Sequence, residues 1–152
     1  MEINHAIKRI ILIDDDEDDL MFFDYALKAI DPAIELTHIP GPRQLPPDRK
    51  IIIPDILFLD INMPDWDGFQ WLKFLREEGY VFPIVIYSTA LNDFSLKKAY
   101  TEGAHLYYQK PSNTKDLIRD LKAILSLDWH APQDIKRLFI KKGHFLAFKH
   151  TP

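Results

Sequence analysis

Cysteine is absent from the 152 residues, which removes disulfides and thiolate metal ligands from consideration. Glycine is scarce, with only 5 in the chain. None of them builds a G-x-x-x-x-G-K-[ST] or G-x-G-x-x-G loop, so a backbone cradle for a nucleotide is excluded. No apolar run approaches the roughly 18 residues that a membrane span requires. The opening MEINHAIKR lacks the apolar segment of a signal peptide. Positive charge is also short: Lys and Arg number 19 against 23 Asp and Glu, for a net charge of -4. That balance argues against a general nucleic-acid binder, whose affinity needs a basic surface. The 6 His residues are scattered without ligand spacing. What remains is a cytoplasmic globular domain, with 47% apolar and 28% charged residues and enough length for a real core.

Apolar runs and turn signals alternate along this chain. A first strand over 9–13 runs into Asp14, Asp15 and Asp16. Asp16 is placed to cap a helix whose apolar positions Leu20, Phe23, Leu27 and Ile30 recur at helical spacing, and Asp31-Pro32 ends it. A shorter, more polar strand over 34–39 leads into 40–48, where four prolines and a glycine leave room for a helical turn or two. The third strand, 55–60, is continuously apolar from Ile56 until Asp60, as expected of a strand buried on both faces. Further strands over 82–87 and 105–109 alternate with helices over 66–77, 92–102 and about 113–125. Five strands alternating with five helices give an α/β, flavodoxin-like doubly wound parallel sheet of order 2-1-3-4-5 with helices on both faces. Residues 1–127 form this domain and 128–152 an extension.

In that order strands one and three are neighbours, so Asp14, Asp15 and Asp60 converge at their carboxyl ends, where open α/β sheets bind ligands. Acids near a helix amino end are ordinary, which accounts for Asp16 to Asp19. It does not account for Asp14 and Asp15. Packed like charges must repel or take up protons unless a cation is present. Oxygen ligands from loops suit Mg2+, with Asp15 and Asp60 as direct ligands and Asp14 acting through water. Ser88 after strand four and Lys110 after strand five supply a hydroxyl and a cation at the same rim. Phosphoryl transfer needs such positioning and charge stabilisation, and Asp60 is then the nucleophile.

The segments ILIDDDEDD, LFLDINMPDWDGF, PIVIYSTA and GAHLYYQKP together resemble the receiver domain of two-component response regulators. The resemblance spans residue 9 to about 125. It implies Asp60 as phosphoacceptor, Asp14 and Asp15 as the acidic pair, Asn62 as donor of a backbone carbonyl to Mg2+, and Lys110 as the site lysine. It further implies Ser88 as the switch hydroxyl and Tyr107 as an aromatic switch that rotates toward the core on phosphorylation. That rotation would reshape the face of the fourth helix, strand five and the fifth helix, where partners dock. A sensor histidine kinase or phosphotransfer protein is the implied phosphodonor, with an unknown downstream protein and a possible homodimer as further partners. Lys110-Pro111 is suggested to be cis. The chain departs from the more frequent pattern in having serine at position 88 and small, apolar Ala90 two residues on, for which slow self-dephosphorylation is expected.

The extension carries two apolar runs, RLFI and HFLAF, readable as a hairpin or as a helix plus strand. It is too short for a DNA-binding domain, which suggests a stand-alone receiver whose extension packs back on the domain or mediates contacts. Such a protein is no conventional enzyme, since it catalyses only its own phosphorylation and dephosphorylation. Two other readings stand beside this one: a Mg-dependent phosphohydrolase with an Asp nucleophile, which normally places that Asp after strand one, and a degenerate receiver serving only for docking.

Overall fold

A computed structural model describes residues 7–149. The outer ends of the two expected segments, and most of the opening read for a leader, lie outside the described residues. The apolar runs become β1 (Arg9–Ile13), β2 (Glu35–Ile39), β3 (Ile56–Leu59), β4 (Ile84–Ser88) and β5 (Leu106–Gln109). They pair in parallel in the order β2-β1-β3-β4-β5.

Both faces of the sheet are covered, which is why its central strands carry no polar alternation. Helices α1 (Glu17–Ile30) and α4 (Thr114–Leu125) pack Phe23, Leu27, Leu117 and Leu121 against Ile10, Leu12, Phe58 and Tyr108. On the other face, α2 (Gly68–Glu77) and α3 (Asp93–Thr101) pack Trp71, Leu72, Leu75 and Ala99 against Ile11, Ile13, Leu57 and Ile86. Along β1 the even positions face one layer and the odd positions the other, as strand geometry requires.

The second crossover differs from the alternation expected. Between β2 and β3 there is a single 3-10 turn, Pro42–Gln44, in place of an α-helix. Pro40, Pro42, Pro46 and Pro47 have no N–H to donate to a helical ladder. The face expected at the fourth helix, strand five and fifth helix is therefore α3, β5 and α4.

The extension combines both shapes considered for it. Helix α5 (Pro132–Leu138) precedes a hairpin of β6 (Ile140–Lys141) and β7 (His144–Phe145). Lys142 and Gly143 turn it with φ of +52° and +78°, as a two-residue hairpin turn demands. Trp129 and Ile135 enter the core beside α4, and the Trp129 indole donates to the Ile124 carbonyl at 2.8 Å. Beyond β7 the chain lies along β5, where the Phe148 N–H donates to the Tyr107 carbonyl at 2.7 Å. The Tyr100 hydroxyl donates to the Leu146 carbonyl at 2.6 Å and accepts the Tyr107 N–H at 3.1 Å.

Candidate functional site

Register builds the site. Ile13 of β1 lies opposite Leu59 of β3, so the next residues, Asp14 and Asp60, leave the sheet side by side. Their backbones stay tied to it: the Asp60 N–H donates to the Ile13 carbonyl at 2.9 Å and the Asp14 N–H to the Ile39 carbonyl at 3.3 Å. Asp15 follows on the exposed side. One carboxylate oxygen from each of Asp14, Asp15 and Asp60 falls within 4.8 Å of the others. Asp14 is fully buried and Asp60 nearly so.

Lys110 comes in from the end of β5, where its N–H donates to the Ser88 carbonyl at 2.8 Å. Its ammonium lies 2.6 Å from Asp19, 2.8 Å from Asp14 and 3.4 Å from Asp60. It also sits 5.2 Å from the Tyr87 ring centroid, a cation–π distance. Burial alone would lower the Lys110 pKa, but hydrogen bonds to Asp14 and Asp19 and the charges of Asp14 and Asp60 carry it above the ordinary lysine value. Asp14 moves the other way from a normal ion-paired acid. Burial pushes it up to about 6, against the lowering hydrogen bonds from Lys110 and the Asp16 backbone. The two shifts differ in cause: the carboxylates around Lys110 outweigh its burial, whereas for Asp14 burial outweighs the help it gets from Lys110.

Ser88 is the last residue of β4, fully buried, and its Oγ accepts the Ala90 N–H at 3.3 Å. The exposed Asn62 donates its N–H to Asp60 Oδ1 at 3.3 Å. One expectation changes here, that of a cis Lys110-Pro111 bond. The Tyr107 ring is buried, with its hydroxyl donating to the Ala90 carbonyl at 2.6 Å. A partner for the hydroxyl inside the protein makes that position stable. Lys110-Pro111 is trans, like every described peptide bond, which is the lower-energy form of an X-Pro link.

Residues 10–122 match the family model described as the response regulator receiver domain. The chain belongs to that family. Among curated relatives, GraR of Staphylococcus aureus strain USA300 is 39% identical over 108 residues, covering 62% of this chain and 48% of GraR. The probable transcriptional regulatory protein y4xI of Sinorhizobium fredii is 39% identical over 72 residues, covering 47% of this chain and 31% of that protein. The receiver thus spans less than half the length of these relatives. Among solved structures, the phosphorylated cyanobacterial phytochrome response regulator RcpA superposes with a TM-score of 0.68 at 25% identity, over 78% of this chain and 91% of that one.

The donor set of this receiver fits a hard divalent cation. It is all oxygen, it is anionic, and the raised pKa of Asp14 marks a charge deficit that such a cation would relieve. Two neighbours of the site escaped the sequence reading. Asp19 passed as a helix-end acid, although it stands four residues before the inward-facing Phe23, a spacing that shares one helix face. His38, next to last in β2, has Nε2 at 2.6 Å from the Asp14 carbonyl. A carbonyl only accepts, so Nε2 carries the proton.

Proposed function

We propose that this receiver takes a phosphoryl group on Asp60 from a phosphohistidine of a sensor kinase or phosphotransfer protein in a two-component relay. The observation that carries the reading is the meeting of Asp14, Asp15 and Asp60 within 4.8 Å, beside a buried lysine ammonium. Asp60 Oδ attacks phosphorus in line. The Oδ–P bond forms as the P–N bond breaks, and the imidazole leaves with the electron pair. Asp15, Asp60 and the Asn62 carbonyl would hold Mg2+ directly and Asp14 through water. When bound, Mg2+ offsets charge on the transferring oxygens. Lys110 and the Ser88 hydroxyl hold other oxygens of the group.

The switch runs through Ser88 and Tyr107, whose hydroxyl bonds the Ala90 carbonyl in the loop after β4. Its output is a change on the α3, β5 and α4 face, where Phe145 and Phe148 already pack on Tyr100 and Tyr108, so a downstream protein or a second copy meets it with the extension in place. A cytoplasmic location belongs to this reading. Incubation with Mg2+ and acetyl phosphate tests it: stable label on Asp60, absent in Asp60→Asn, supports the receiver, rapid turnover indicates a phosphohydrolase, and no label indicates a docking module. Ala90 brings no polar group to orient water, so Ala90→Glu is expected to shorten the acyl-phosphate half-life; equal half-lives count against this.

A further inference from the structure

We infer that Asp19 is a positioning residue that restrains the Lys110 ammonium and slows phosphoryl acceptance by Asp60, an inference that rests on the acceptor reading above. An ammonium has three N–H donors, and here all three have carboxylate partners. Asp19 holds the shortest contact at 2.6 Å and Asp14 the next at 2.8 Å, while Asp60, the residue that reacts, has the longest at 3.4 Å. A phosphoryl oxygen arriving on Asp60 needs one of those donors, so one partner must let go.

Asp14 cannot do so at low cost. Its side chain is 0% exposed, and an unpaired buried carboxylate is strongly destabilising. Asp19 has a side chain 29% exposed and stands in the first turn of α1, whose amino end favours a negative charge. Swung away from Lys110, it meets water and keeps the helix end. Asp19 is therefore the partner whose tight hold loosens as the ammonium is drawn from its long contact with Asp60 toward the phosphoryl oxygens there. It stands outside the carboxylate trio that fits a divalent cation, so it acts on the lysine and not on the metal. Its backbone N–H is held separately by the capping Asp16 carboxylate at 3.2 Å, which leaves the cap intact when the side chain is changed.

In the test reaction with acetyl phosphate, the Asp60 Oδ–P bond forms, the acyl O–P bond breaks, and acetate leaves with the electron pair. Asp19→Asn removes a competing charge-assisted hydrogen bond and is expected to accept label about threefold to tenfold faster. Beryllofluoride binding should tighten by a similar factor, with Mg2+ affinity by calorimetry changed by less than about twofold. Asp19→Ser should show the same gain. Asp18→Asn is the control, because Asp18 is exposed in the same helical turn and its carboxylate is in no ion pair among the described residues. It should leave the rate unchanged. In a Lys110→Ala background the Asp19→Asn gain should vanish. An unchanged rate in Asp19→Asn, an equal gain in Asp18→Asn, or a gain that survives without Lys110 overturns the inference alone. A parent protein that takes no label overturns this inference and the acceptor reading together.

Discussion

A side chain at position 68 would have nowhere to go: a Cβ there falls 2.6 Å from the Asp60 carbonyl oxygen and 2.7 Å from Ile61 Cα. Both atoms are backbone, so the neighbour cannot rotate aside, and glycine is what lets the start of α2 close against the loop that follows Asp60. Gly68→Ala is expected to cost about 1–3 kcal/mol, as overpacking does, and to slow labelling of Asp60, read by urea denaturation and the acetyl phosphate assay. His105 governs a different response. Its Nδ1 accepts the Ile84 N–H at 3.1 Å, so the proton of the neutral ring is on Nε2. Burial first, then the charges of Arg76 and Lys136, hold its pKa down from 6.5 to about 4. Between those values the unfolded chain binds more protons, so the His105 contribution to stability is lost as pH falls through that window. Asp14 works in the opposite sense, because its raised pKa lets the cost of its burial ease as pH falls through about 6. His105→Asn keeps an acceptor for Ile84 and removes one titration. On going from about pH 7 to about pH 5, its stability should change more favourably than the parent's by about 2 kcal/mol, checked by urea midpoints at both values.

At the scale of elements, α2 is set by a capping box. The Asp67 carboxylate accepts the N–H groups of Phe69 and Gln70, both at 2.9 Å, and the Gln70 side chain accepts the Asp67 N–H at 2.8 Å. Asp67→Ala should cost about 1 kcal/mol in denaturation, with β3 and its acceptor residue still in place. The strands other than the polar edge strand β2 were legible in the sequence because burial on both faces writes itself as a mostly apolar run. The meeting of Asp14 and Asp60 followed from strand order. The missing helix between β2 and β3 was only half legible, since four prolines announce a poor helix without saying how little of it survives. Asp19 was hidden by a sufficient local reason for an acid at a helix start, and its real partner stands 91 residues away. The inward position of Tyr107 is a choice of side-chain rotation, which residue spacing does not encode. For the extension, RLFI and HFLAF announced burial without naming the surface that provides it.

For the whole molecule, the extension acts as an added outer layer. Phe148 packs at right angles on Tyr108, and Phe145 stacks on Tyr100, so the last described residues are sealed to α3 and β5 by rings as well as by hydrogen bonds. A chain cut after residue 138 would bare these rings and the Tyr107 carbonyl. We expect it to melt lower than the full chain and to associate with rising concentration, measured by thermal unfolding and light scattering. Phe148→Pro, which removes the donor to Tyr107 together with the ring packed on Tyr108 and Phe139 but leaves the rest of the extension, should show a smaller drop.

The strand order gives this seal one more consequence. With 146–148 laid along β5, no described strand lies beyond β2 at the opposite margin. A ribbon that grows by adding strands needs two open margins on every unit. Copies of this chain joined through β2 are expected to stop at a pair while Phe148 stays docked on β5, a limit that light scattering of the full and the cut chain would show.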